Sequence, residues 1–127
     1  MRISIIQVMQ EIWIECMSKK AKARIINKNP VTAKKILASL PLEGDALKWG
    51  DEIYFYIDVE IGEENSQEEV EIGDIAYWPE GKAICIFLGL TPISKDKPKA
   101  ISPVNVFAKL DKKIGIKEGE KVVISRH

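Results

Sequence analysis

Gly73-Asp74-Ile75-Ala76-Tyr77-Trp78-Pro79-Glu80-Gly81-Lys82-Ala83-Ile84-Cys85-Ile86-Phe87 is the stretch whose reading decides the fold. Ile75–Trp78 and Lys82–Leu88 are apolar runs of strand length. Pro79-Glu80-Gly81 between them is a turn, since proline and glycine punctuate local structure. Upstream, residues 52–60 alternate. Ile53, Phe55, Ile57 and Val59 share one side, and Tyr54, Tyr56, Asp58 and Glu60 the other, as in a strand with unlike faces.

Working outward, Ile3–Val8 and Ile12–Cys16 are short apolar or alternating runs, and Ala23–Asn27 is a further strand candidate before the turn at Asn29-Pro30. Ser18–Arg24 is basic and expected to be exposed. Thr32–Leu40 reads as one helix: Ala33, Ile36, Leu37 and Leu40 recur at helical spacing, Thr32 is the expected N-cap, and Pro41 stops the helix. Gly62–Glu69 is polar and acidic, an expected loop. Leu90–Pro103, with three prolines, is the largest expected loop and the best placed to move. Val104–Leu110 and Lys121–Ser125 are closing strands. Seven or eight short strands with one helix make a mainly β domain, a sandwich or a closed barrel.

The bulk properties fit one domain. A chain of 127 residues buries its own core without staples, and no apolar run approaches the length of a membrane-spanning helix. Gln7, Gln10, Glu11 and Glu15 break the N-terminal apolar run and no small-residue cleavage site follows, so the expected address is cytoplasmic. Cys16 and Cys85 each sit in apolar runs and read as buried reduced thiols. Two cysteines and the single histidine, His127, write no zinc pattern, and no cofactor is expected. Net charge is zero but segregated. Met1–Lys35 holds eight basic and two acidic residues, Glu43–Glu80 one basic and thirteen acidic, and the remainder from Gly81 ten basic and four acidic. Mutual neutralisation across the fold is the plain reading, and the acidic middle argues against nucleic acid as a partner. Abundant isoleucine and lysine with scarce glutamine lean towards a thermophilic source.

Two segments carry a more specific signal: the stretch quoted first, continued by Gly89-Leu90-Thr91-Pro92, and Trp49-Gly50-Asp51-Glu52-Ile53-Tyr54-Phe55. Through them the chain resembles the small prokaryotic cyclophilin-like proteins, a family of largely unassigned function, most clearly over residues 30–125. The resemblance implies a closed eight-stranded β-barrel with the short helix, about 32–40, packed at one opening. The name invites an isomerase reading. Cyclophilins that isomerise prolyl bonds use an arginine in a Phe-His-Arg segment, which has no counterpart here. Their Gly-Ser-Gln-Phe-Phe-Ile strand resembles Gly81-Lys82-Ala83-Ile84-Cys85-Ile86, but Ala83 stands at the glutamine position and Cys85 at that of the proline-pocket phenylalanine.

The better lead is the aromatic set of the two segments. Aromatic rings supply apolar area in ligand sites while a Tyr O–H or Trp N–H fixes orientation. The candidate ligand-binding residues are Trp49, Glu52, Tyr54, Tyr77, Trp78, Cys85, Phe87 and Asn105, with Tyr54 and Tyr77 the favoured surface contacts. Glu52 needs burial or a like-charge neighbour to act in acid–base work, and otherwise caps a strand end. Cys85 alternates with Ile84 and Ile86 and so faces either core or pocket. Asn105, between two valines, needs hydrogen-bond partners if buried. The expected function is binding of a small molecule or peptide in an aromatic-lined groove. The alternatives are a prolyl isomerase with an atypical site and an interaction protein that forms a homodimer.

Overall fold

The computed structural model describes residues 10–127; the strand expected at Ile3–Val8 lies outside them. Among the described residues ten strands and one helix follow in order: β1 Glu11–Cys16, β2 Lys19–Ile25, α1 Pro30–Ser39, β3 Leu42–Asp45, β4 Leu47–Trp49, β5 Glu52–Tyr56, β6 Gln67–Glu69, β7 Asp74–Trp78, β8 Ala83–Phe87, β9 Lys99–Leu110 and β10 Lys121–Ser125. All pairings are antiparallel, in the order β3-β10-β1-β2-β9-β7-β8-β5-β4, with β6 on the first half of β9.

Among the described residues the sheet is not closed by hydrogen bonds, and ten strands replace the expected closed barrel of eight. The reason is local. The two ends of the path, β3 and β4, are consecutive in the chain and separated by Ala46 alone. They meet end to end rather than side by side. Ala46 is held instead by the segment before β10, its N–H donating to the Glu120 carbonyl and its own carbonyl accepting from Gly119 N–H, both at 2.8 Å. The sheet still curls around one apolar core. One face of nearly every strand contributes, through Ile12, Ala23, Phe55, Tyr77, Ile86 and Ile124 among others, and α1 adds Ala33, Ile36 and Leu37.

Several expected boundaries shift. Basic Ser18–Arg24 is mostly strand, because β2 pairs with β1 from Glu11↔Arg24 to Cys16↔Lys19. Its alternating Ala21 and Ala23 are buried while the lysines point outward. The helix begins two residues before Thr32 and ends one before Leu40. Asn29 occupies the cap position without a side-chain cap bond, and Leu40 is already extended before Pro41. The stretch taken as the last part of one loop, Lys99–Pro103, belongs to the twelve-residue β9. Pro103 is tolerated there because the β6–β9 register is irregular at this point, where a missing N–H breaks no ladder bond. Gln67–Glu69, expected in a loop, is β6.

β9 is the element that positions the site. A register shift between Ile75 and Ala76 of β7 leaves Phe107 as an extra residue on β9. Such a bulge bends the strand. Phe107 and Ala108 both enter the main core, and Val106 turns to the opposite face. There it joins a second, smaller cluster with Val70, Ala76, Cys85, Phe87, Ala100 and Val104.

Candidate functional site

The strands β5, β8 and β7 alternate between two apolar faces. Ile53, Phe55, Ile75, Tyr77, Ile84 and Ile86 fill the main core. Glu52, Tyr54, Ala76, Trp78, Cys85 and Phe87 face the other way, since the register pairs Tyr54 with Cys85 and Cys85 with Ala76. The front half of β9, held off by β6, passes over this second face. The gap it leaves is a cavity of ≈ 190 Å³ lined by Trp49, Glu52, Tyr54, Trp78, Cys85, Ala100, Ile101 and Val104.

Five of the eight sequence-derived candidates line this cavity: Trp49, Glu52, Tyr54, Trp78 and Cys85. Three do not. Tyr77, expected at the surface, is fully buried in the main core on the same face as Ile75, because period-two alternation puts those two together. Its hydroxyl donates to the Val59 carbonyl at 2.7 Å and accepts from Ile61 N–H at 3.2 Å. Phe87 is buried within the second cluster, outside the lining. Asn105 is fully buried and fastens structure: its amide donates to Thr32 Oγ1 and the Gly62 carbonyl, and its carbonyl accepts from Glu64 N–H. Ala100 and Ile101 were missed because their segment reads as a proline-bearing loop, and Val104 because it reads only as the start of a closing strand.

Local chemistry holds the rings in place. Trp49 and Glu52 pair across the two-residue turn Gly50-Asp51. Gly50 has φ +63°, and a Cβ there would lie 2.8 Å from the Leu90 carbonyl oxygen, so this turn needs glycine twice over. The Trp78 indole N–H donates to Ser102 Oγ at 2.6 Å, which ties β7 to the crossing part of β9. A Cβ on Gly81 would fall within the Trp78 ring, so the turn residue and the ring position are coupled. The Tyr54 and Trp78 rings meet edge to face at 6.3 Å, an arrangement favoured by their quadrupoles.

The polar centre is Glu52. It is 6 % exposed and makes no ion pair among the described residues. Burial raises its carboxyl pKa to about 7, only partly offset by the hydrogen bond from the Cys85 thiol. Burial, then the charge of Glu52 and that hydrogen bond, push the Cys85 thiol well above its ordinary range. Burial likewise raises Tyr54, with smaller effects from Tyr56 and Glu52. The thiol is therefore a poor nucleophile at neutral pH, and the carboxyl is a group that exchanges its proton near neutrality. Among the described residues no lysine or arginine is in the lining. Among the described residues no group of three metal-ligating side chains comes together, and no helix is long and apolar enough to cross a membrane.

Among the described residues the fold is a curled antiparallel sheet with one helix packed into its core, as expected of a cyclophilin-like domain. A model of the family described as cyclophilin-like matches residues 9–125, and the chain belongs to that family. Among solved structures, the solution structure of a hypothetical protein from Archaeoglobus fulgidus is 40% identical, covers 94% of this chain and 96% of its own, and superposes with a TM-score of 0.79. The structure of McbB in complex with tryptophan is 14% identical with a TM-score of 0.66, covering 91% of this chain and 44% of McbB. No match was found among curated proteins.

Proposed function

We propose that the chain is a binding module that takes a small molecule, or one side chain of a peptide, into the cavity between β5, β8, β7 and the front half of β9. The observation that carries this reading is an apolar hollow of ≈ 190 Å³ edged by Trp49, Tyr54 and Trp78 with one buried acid at its wall. Few convergent polar groups in an apolar concavity are what small-ligand sites share. An engineered apolar cavity of about 150 Å³ takes benzene, so the volume suits one ring with a short substituent. McbB, solved with tryptophan, supports the reading at the level of fold alone. The lining favours binding over prolyl isomerisation, because among the described residues it presents a carboxyl and none of the cations on which an isomerase of the usual kind depends.

An NMR screen of single-ring aromatic fragments tests this, read at the indole N–H signals of Trp49 and Trp78. Bound fragments shift both signals, and Tyr54→Ala or Trp78→Ala weakens each of them. Affinities untouched by both substitutions would place the ligand elsewhere.

A further inference from the structure

Glu52 is more than nine-tenths buried, lies in the cavity wall, and among the described residues has no side-chain partner but the Cys85 thiol, a weak donor. A buried acid with so little local compensation is costly, so an occupant that brings a strong donor is favoured over one that does not. The surrounding rings add to this. Tyr54 and Trp78 line the cavity with aromatic surface, and Ala100, Ile101 and Val104 form an apolar wall from β9. Among the described residues the titratable groups facing Glu52 are Tyr54 from its own strand and Cys85 from β8; β4 and β9 present Trp49, Ala100, Ile101 and Val104.

We propose that this cavity selects a small aromatic amine, its ammonium group set against the Glu52 carboxylate and its ring against Tyr54 and Trp78. The inference rests on the reading of the cavity as a ligand site and adds the ligand's charge. Amine binding draws Glu52 into its ionised form. The acid, largely protonated at pH 6, then releases its proton to solvent, and affinity for an amine rises between pH 6 and 8.

The test compares three probes of one shape, 2-phenylethylamine, 2-phenylethanol and 3-phenylpropanoate, by NMR titration at pH 6 and 8, with calorimetry in buffers of different ionisation enthalpy. The amine is expected to bind the wild-type chain at least about tenfold more tightly than the alcohol at pH 8, as a charge-assisted hydrogen bond allows. It should release close to one proton at pH 6, and the propanoate should bind weakest. Glu52→Gln, which keeps the shape, should abolish the preference and the proton release while the alcohol still binds. Equal binding of amine and alcohol, or no proton release, would overturn the amine assignment and leave the cavity standing. Absence of binding by all three probes and by every ring of the fragment screen would overturn both readings together.

Discussion

A carboxyl with a pKa of about 7 when folded and an ordinary value near 4.5 when unfolded makes stability depend on pH, and Glu52 is such a group. Below about pH 4.5 both states hold the proton and the full stability is present. As pH rises towards 7, the unfolded chain ionises freely and the folded chain does not, so stability falls; above 7 the loss is complete. The difference corresponds to an order of 3 kcal/mol. Glu52→Gln should remove most of this slope, so that urea unfolding at pH 8 finds the variant more stable than wild type while the two converge near pH 4.5. A variant less stable than wild type at pH 8 would mean that the charge is compensated after all. Gly81 is the second residue with a sharp expectation. A methyl there must push the Trp78 ring aside and break its bond to Ser102. Gly81→Ala should cost roughly 1–3 kcal/mol, the usual range for overpacking, and should shift the Trp78 indole signal. An unmoved signal would show that the turn, not the ring, gives way.

Helix α1 illustrates an element completed by a distant part of the chain. Its first turn carries unsatisfied N–H groups. The Glu64 carboxylate accepts from Val31 N–H at 3.1 Å, from Thr32 N–H at 3.0 Å and from Thr32 Oγ1 at 2.9 Å. Burial works to raise the Glu64 pKa, but the donated hydrogen bonds from Thr32 and Val31 outweigh it and hold the group below its ordinary value. Its contribution is therefore present above the ordinary carboxylate range and lost as pH falls through it. Glu64→Ala should cost about 1 kcal/mol, the usual worth of a cap, measured as a lowered urea midpoint at pH 7; an unchanged midpoint would mean that water caps the helix as well. Such a cap cannot be seen from local pattern, which is why Thr32 itself looks like the N-cap. The alternation of β1 and β5 and the apolar run of β8 are legible because a single residue period carries them. The β1–β2 hairpin is not, since Met17-Ser18 lacks the Asn-Gly or Gly-X chemistry expected of a two-residue turn. Met17 adopts φ 58° regardless. Met17→Gly should relieve that strain and raise stability by about 1 kcal/mol; a loss would show that the glycine's added freedom in the unfolded chain dominates.

At the scale of the molecule, one sheet serves two apolar bodies. The charge blocks of the sequence resolve into ion pairs across it: Lys82–Asp58, Lys97–Glu71, Lys99–Glu68, Lys109–Asp74 and Lys121–Glu43 all join the acidic middle to the basic C-terminal block. The four exposed pairs set neutrality more than stability, whereas Lys109–Asp74 holds a buried carboxylate. Five of the eight described lining residues are legible in sequence, because Trp49, Glu52, Tyr54, Trp78 and Cys85 lie in the two motifs. The β9 wall is not, since its placement follows from a bulge at Phe107 and from pairing with β6, both long-range events. The two cysteines report on the two bodies separately. Cys16 lies in the main core, where burial first, and then its hydrogen bond to Glu120, raise its pKa to about 11. Cys85 lies in the second cluster beside Glu52 and Trp78. Neither thiol should react appreciably with iodoacetamide at pH 8 in the native chain, because burial keeps both in the thiol form and thiolate is scarce. Trp78→Ala opens the cavity wall without touching the opposite face of the sheet. Mass-spectrometric labelling should then find Cys85 modified several-fold faster while Cys16 keeps its wild-type rate. Equal acceleration of both would mean that the outer cluster and the main core open as one cooperative unit.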